Sequence, residues 1–208
     1  MMLSLSRQLP ASFHSQNTTH DWPYSERREK STLLTGQTVV LLGYGAIGKR
    51  LVEILKPFNM QIIAIRRQVR SERGVRIVPE EDMTRVLAMA DHIVNILPQN
   101  ESTLNYVNRR RLECMKRGSR FYNIGRGKTV DQNVLIQALN TGRLQSAYLD
   151  VMDPEPLPEN HPLWTTPNCY LTPHIAGGFN NLDTAIVSHF LNNFTAFLSR
   201  KTLNDEIF

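Results

Sequence analysis

Cysteine is almost missing from this chain: 208 residues contain only Cys114 and Cys169. One pair is no disulfide framework, and neither residue stands at a metal-ligand spacing, so a stapled secreted domain and a zinc site are both set aside. Both thiols are expected to be buried, reduced and inert. No apolar run approaches the ~20 residues of a membrane span. The start, Met1-Met2-Leu3-Ser4-Leu5-Ser6-Arg7, lacks the basic head and apolar core of a secretory signal, so the expectation is a cytoplasmic protein with no membrane partner. Acidic residues are missing from one stretch in particular, since none stands between Glu53 and Glu72.

What is present is ordinary. With 41% hydrophobic and 21% charged residues the composition is globular, and the length suits one generous domain. The net charge of +5 comes from local arginine clusters, Arg66, Arg67, Arg70, Arg73 and Arg76, then Arg109, Arg110 and Arg111. Such clusters suit a phosphate ligand better than a duplex. No paired zinc ligands or aromatic-studded basic strand accompany them, so no nucleic-acid partner is expected.

Residues 1–35 are polar and weakly periodic, which predicts a short helix and an extended arm. From Gln37 the pattern changes: Thr38-Val39-Val40-Leu41-Leu42 is a continuous apolar run ended by glycine, the pattern of a strand buried on both faces. A helix is predicted over 46–55, with Ile47, Leu51, Ile54 and Leu55 on one face and Pro57 as its stop. A second buried strand follows over 61–65. The alternation continues with helices over 79–89, 108–115 and 132–139 and strands over 91–96, 119–123, 145–150 and 169–172. A long helix is predicted over 183–198. Alternating strands and helices imply an α/β fold, a Rossmann doubly wound parallel sheet with helices on both faces. The expected division is 1–35 helix and arm, 36–178 dinucleotide-binding domain, and 179–208 C-terminal helix and tail.

The sharpest motif is Gly43-Tyr44-Gly45-Ala46-Ile47-Gly48, which closes a predicted strand and opens a predicted helix. Gly43 serves the tight turn, Gly45 the close approach of a pyrophosphate, and Gly48 the packing of helix on strand. Tyr44 reads as an unremarkable loop side chain. At the end of the second strand an acid would bond the adenosine ribose of NAD, but Arg66-Arg67 stand there instead. Two guanidinium groups suit a 2′-phosphate, so NADP(H) is favoured and NAD(H) stays open. The plain alternative is a solvated strand end.

Several further segments carry a resemblance. They are Asn123-Ile124-Gly125-Arg126-Gly127 with Val130-Asp131, Leu149-Asp150-Val151 through Pro154-Glu155-Pro156-Leu157-Pro158, and Leu171-Thr172-Pro173-His174-Ile175-Ala176-Gly177-Gly178. With the glycine loop they make the chain from about Trp22 onward resemble the D-isomer-specific 2-hydroxyacid dehydrogenases, which include glyoxylate and hydroxypyruvate reductases. The resemblance implies His174 as acid and base, Glu155 as its partner, and Arg126 as the clamp on a 2-keto acid. It also implies cofactor contacts from Gly43, Gly45, Ala46, Ile47, Gly48, Arg66, Arg67, Leu97, Pro98, Thr103, Ile124, Gly125, Arg126, Asp150, His174 and Gly177. Asp150 would lie near the nicotinamide carboxamide. The loop at Leu97-Pro98 departs from the family's pattern, with Asn95 where histidine is common and Gln99-Asn100 where Leu-Thr is common.

Only 42 residues precede Gly43, so the family's substrate domain is expected to be largely absent. The resemblance makes a homodimer plausible and a small 2-keto or 2-hydroxy acid the partner. Two other readings stand beside the dehydrogenase: a non-catalytic NAD(P)-binding or interaction module, and an inactive truncated fragment.

Overall fold

Burial decides which apolar runs become strands. In the computed structural model, which describes residues 1–67 and 72–204, β1 (Thr38–Leu42) is buried at every position. It is an interior strand, third from one edge, of a seven-stranded sheet with β2 (Gln61–Ile65), β3 (Arg76–Val78), β4 (His92–Asn95), β5 (Ser119–Asn123), β6 (Leu144–Leu149) and β7 (Cys169–Leu171). All neighbours are parallel, in the order β3-β2-β1-β4-β5-β6-β7.

The two-residue period of the strands divides the core. Val40, Leu42, Ile63, Ile65, Ile93, Phe121 and Leu149 point to one face, where α5 (Met83–Leu87), α6 (Arg109–Cys114) and α7 (Gln132–Asn140) cover them. Val39, Leu41, Ile62, Ala64, Val94, Tyr122 and Tyr148 point to the other, under α1 (Met2–Ser6) and α4 (Ala46–Leu55). The doubly wound sheet is therefore as expected.

Four local expectations are corrected. The arm is helical, as α2 (Leu9–Thr18) and α3 (Tyr24–Lys30), tied together by the Arg27 guanidinium donating to Ser15 Oγ at 3.0 Å. The inner face of α4 runs through Gly48, Val52 and Leu55, while Ile47 and Ile54 are exposed. The helix must close on the sheet where a side chain is missing, so the buried stripe passes through the glycine, one position from the stripe drawn through the isoleucines. The predicted helix over 79–89 is a 3₁₀ turn (Glu80–Asp82) followed by the short α5. Finally, β3 was not foreseen, because three residues opening on an arginine give no apolar run.

The long C-terminal helix, α8 (Leu182–Leu198), forms as expected, yet none of its residues is buried. Cys114 and Cys169 are free and half-buried rather than fully buried, and burial pushes the Cys169 thiol up to about 12. No helix among the described residues is long and apolar enough to cross a membrane. No group of metal-ligating side chains occurs among them either.

Candidate functional site

Strand order reverses at β1, which has β2 on one side and β4 on the other. Loops leaving the carboxyl ends of β1 and β4 turn to opposite faces there and open a crevice. Gly43 starts the first loop with φ +98°, a turn that a side chain would strain, and a Cβ there would stand 3.3 Å from Leu97 Cδ2 of the β4 loop. At Gly125, after β5, a Cβ would lie 2.6 Å from the Leu97 carbonyl oxygen. Three loops thus pack side by side along one rim. Beneath them, Asn95 donates to Asn123 Oδ1 at 2.9 Å and to Thr129 Oγ1 at 2.7 Å, so the residue that departs from the family's histidine joins two of these loops.

Gly45 is the N-cap of α4, with no side-chain cap and no acid in the first turn. A Cβ at Gly45 would meet no protein atom within 4 Å. The first N–H groups of the helix, on Ala46, Ile47 and Gly48, therefore carry no side-chain cap beside open space, with the positive end of the helix dipole behind them. That arrangement fits a pyrophosphate.

The arginines at the end of β2 are not free. Arg66 lies 3.9 Å from Glu72, whose carboxylate also sits 3.8 Å from Lys49 Nζ and accepts a 3.0 Å bond from the Tyr44 hydroxyl. Tyr44 is only 7% exposed and belongs to the core, so it is no ordinary loop side chain. Burial first, then the bond to Glu72, pushes its hydroxyl up to about 12. Arg67 reaches Ser102 Oγ at 2.5 Å on the β4 loop. Arg70 lies outside the described residues. Leu97 is half-buried and Pro98 exposed on the loop after β4. Thr103 is buried, its hydroxyl donating to the Pro98 carbonyl at 2.7 Å and accepting from the Asn100 N–H at 2.9 Å, so it shapes the loop from within.

The residues after β6 and β7 converge on the same rim. His174 Nδ1 lies 2.8 Å from Glu155 Oε2, and Glu155 Oε1 accepts from the Met152 N–H at 2.8 Å. Burial raises the Glu155 carboxyl, but the bonds from His174 and Met152 and the charges of His174 and Arg126 outweigh it, leaving the group below its ordinary value. The His174 side chain remains 49% exposed. Its backbone is left-handed at φ +54°, a conformation that costs a histidine free energy and is held by bonds from its own N–H to the Asp150 and Thr172 carbonyls. Arg126 is exposed, with one guanidinium nitrogen on the Gly125 carbonyl at 2.7 Å. Ile124 is half-buried, and Gly177 is exposed.

Asp150 directly follows β6 on the same rim. It is 2% exposed, and its carboxylate accepts from the N–H groups of Ile175 at 3.0 Å and Ala176 at 2.9 Å and from the Thr172 hydroxyl. Burial raises this carboxyl and those donors more than offset it, so its pKa falls below the ordinary value. Its side chain is committed to the segment that carries His174. A hollow of about 510 Å³ opens beside the histidine, lined by Met152, Glu155, Leu157, Trp164, Leu171 and His174. A larger hollow, about 1080 Å³, lies away from this rim among the N-terminal helices, by Phe13, Trp22 and Tyr24.

Sequence reasoning missed Glu72, Tyr44 and Ser102. Only Tyr44 left a signal, an aromatic between two glycines beside a buried strand.

Strand order 3-2-1-4-5-6 with the glycine turn after β1 defines a Rossmann dinucleotide-binding domain. Residues 1–176 match the family model of the D-isomer specific 2-hydroxyacid dehydrogenase NAD binding domain. The chain belongs to that family. It is 36% identical over 176 residues to a human glyoxylate reductase/hydroxypyruvate reductase, covering 84% of this chain and 54% of that protein. A D-isomer specific 2-hydroxyacid dehydrogenase from Xanthobacter autotrophicus, solved with NADPH, superimposes with a TM-score of 0.85 at 26% identity, over 100% of this chain and 83% of that one. An NAD-dependent formate dehydrogenase from Staphylococcus aureus, solved with NAD, gives 0.83 at 26% identity, over 98% and 61%. The chain spans about half the length of the curated relatives it matches.

Proposed function

We propose that the chain binds a nicotinamide dinucleotide in the β1–β4 crevice, NADP(H) in preference to NAD(H), and serves the interconversion of a small 2-keto acid, such as glyoxylate or hydroxypyruvate, with its 2-hydroxy acid. The His174–Glu155 pair carries this reading, because a pure binding module has no use for an imidazole held in one orientation beside the crevice. The bound nicotinamide would supply a hydride. Glu155 holds Nδ1 of His174 and leaves Nε2 to give a proton to the carbonyl oxygen, or to take it back from the hydroxyl. Arg126 is the clamp, a guanidinium able to grip the carboxylate and polarise the carbonyl. Keto-acid-dependent oxidation of NADPH tests the reading, and absence of turnover above a His174 variant rejects it for this chain.

The cofactor preference rests on Arg66, with Lys49 one helical turn away from the glycine cap. Glu72 competes for both cations where a 2′-phosphate would pair with them. Fluorescence titration is expected to show tighter binding of NADPH than of NADH, and Glu72→Gln to widen that ratio by roughly fivefold, the scale of a partly exposed ion pair. Equal or reversed affinities in the unaltered chain would remove the arginine argument. A ratio unmoved by Glu72→Gln would show that the carboxylate does not face the ligand.

A homodimer is part of the proposal. It is supported by the exposure of Ile186, Phe190, Phe194 and Phe197 along α8, apolar surface of the kind that a second copy would cover. Analytical ultracentrifugation should find twice the monomer mass; a monomer at every concentration would remove it.

A further inference from the structure

The opposite rim of the sheet holds a second polar cavity that the dehydrogenase reading does not use. In a parallel sheet every strand starts on the same side, so the beginnings of β5 and β6 face away from the glycine loop, roughly 15 Å across the strand length. There a cavity of about 290 Å³ lies between the sheet and the N-terminal helices, lined by Gln8, Arg27, Lys30, Arg120, Gln145 and Ser146, among others. Its lining holds three cations and no acid.

The cations are partly neutralised. Arg120 is 3% exposed and its guanidinium donates to Thr32 Oγ1 at 3.3 Å; the acid acting on it is Asp91, whose carboxylate is already paired with Lys116 at 2.6 Å. Arg27 and Lys30 share one acid, Glu26, at 3.3 and 2.7 Å. Glu26 and, at longer range, Asp21 and Asp91 offset part of this charge from outside the cavity, whose own lining carries three cations and no acid. Two donors are also unused: Ser146, 6% exposed, has a buried hydroxyl with no hydrogen-bond partner, and so does Arg27 Nε. Beside them His92, hydrogen-bonded to Gln37 and Tyr122, is held near pKa 4, chiefly by burial and then by the Arg120 charge, so it stays neutral. Water could satisfy the hydroxyl but would bring no negative charge into a cavity lined by three cations.

We propose that this cavity is a binding site for a small dianion, a phosphate or phosphate monoester group, held by Arg120 from the sheet, Arg27 and Lys30 from α3, and the Ser146 hydroxyl. The volume stands at the small end of ligand clefts, which suits a single phosphate group and excludes a dinucleotide. Arginine supplies paired donors for such an anion, and lysine a mobile charge at the mouth, where its side chain is 57% exposed.

The test is calorimetric titration of the full chain with inorganic phosphate and, in a second arm, glycerol phosphate. Both are run in an Arg66→Gln/Arg67→Gln background, so that the glycine-loop arginines do not contribute. Saturable binding is expected to persist in that background, to weaken at least about tenfold with Arg120→Gln, and to weaken about threefold with Lys30→Gln. Tighter binding of the ester would identify a phosphorylated metabolite as the source, and tighter binding of phosphate the free ion. Because Arg120→Gln alters a buried side chain, Lys30→Gln and Ser146→Val supply the same reading in case it does not fold. No saturable binding up to about 20 mM, or binding indifferent to both Lys30→Gln and Ser146→Val, overturns the proposal.

Discussion

Replacing His174 with glutamine is expected to lower keto-acid-dependent oxidation of NADPH by about 10³-fold, within the range for loss of a positioned acid or base. The variant keeps a polar side chain of similar reach at a half-exposed position, so folding should be preserved. Circular dichroism and the melting temperature check that. Glu155→Gln should cost less, about 10- to 100-fold, because the histidine remains but its orientation and the stabilisation of its cation are weakened. The pH dependence has a definite sign. Glu155 has a folded pKa below its ordinary value of 4.5, so its hold on His174 is fully present above that value and is lost as pH falls through the folded pKa. Activity limited by Glu155 should therefore be flat through neutrality and fail only in acid. Steady-state rates from about pH 4 to 8 measure this, and a Glu155→Gln variant with the unaltered rate would refute the pairing.

The second large effect belongs to a glycine with no place in the chemistry. A Cβ at Gly127 would stand 1.8 Å from the Met152 carbonyl oxygen and 2.0 Å from its carbon, both backbone atoms of the segment whose N–H anchors Glu155. Backbone cannot swing aside as a lysine tip can, so either that segment or the loop after β5 must move. Gly127→Ala is expected to destabilise the fold by about 3–5 kcal/mol, a fall of roughly 10 °C or more in melting temperature, or to prevent folding altogether. Gly45→Ala is the contrasting case. A methyl there meets no protein atom within 4 Å, and φ is −106°, so stability should change by less than about 1 kcal/mol. That methyl enters the space beside the helix N-terminus, and the affinity for NADPH should fall by at least about tenfold. Thermal melts and titrations of both variants separate the glycine that permits packing from the one that admits a ligand. Equal losses of stability would show that both are structural.

Adjacent residues determined much of this protein. Thr38-Val39-Val40-Leu41-Leu42 read as a buried strand because the apolar run is short, partly β-branched and ended by glycine. The glycine turn after it, set between a strand and an amphipathic stretch, pointed to a helix opening there. The Arg126, Glu155 and His174 segments stood out only through their joint resemblance to the family's motifs, since each side chain taken alone is an ordinary loop residue. Periodicity likewise placed α7 and α8 in the chain, since a helix writes its pattern within a few turns.

Contacts between distant parts of the chain were a different matter. Whether Arg66 stands free or shares Glu72 with Lys49 and Tyr44 depends on how the chain returns past β3, a three-residue strand with no apolar signature of its own. The resemblance implies a place for Asp150 near the nicotinamide, and only the assembled sheet shows that its carboxylate also accepts bonds from N–H groups 25 and 26 residues further on. The stripe of α4 that faces inward, and the failure of α8 to bury any residue, depend on which surfaces are present to receive them. Local propensity and hydrophobic period are encoded over a few residues, so the sequence by itself determined the elements and the chemical types at the site. Charge pairing, close backbone approach and burial between distant segments arise only when the sheet assembles, and so the tertiary structure alone decided which charges are neutralised, which glycines are indispensable and which cavity remains positive.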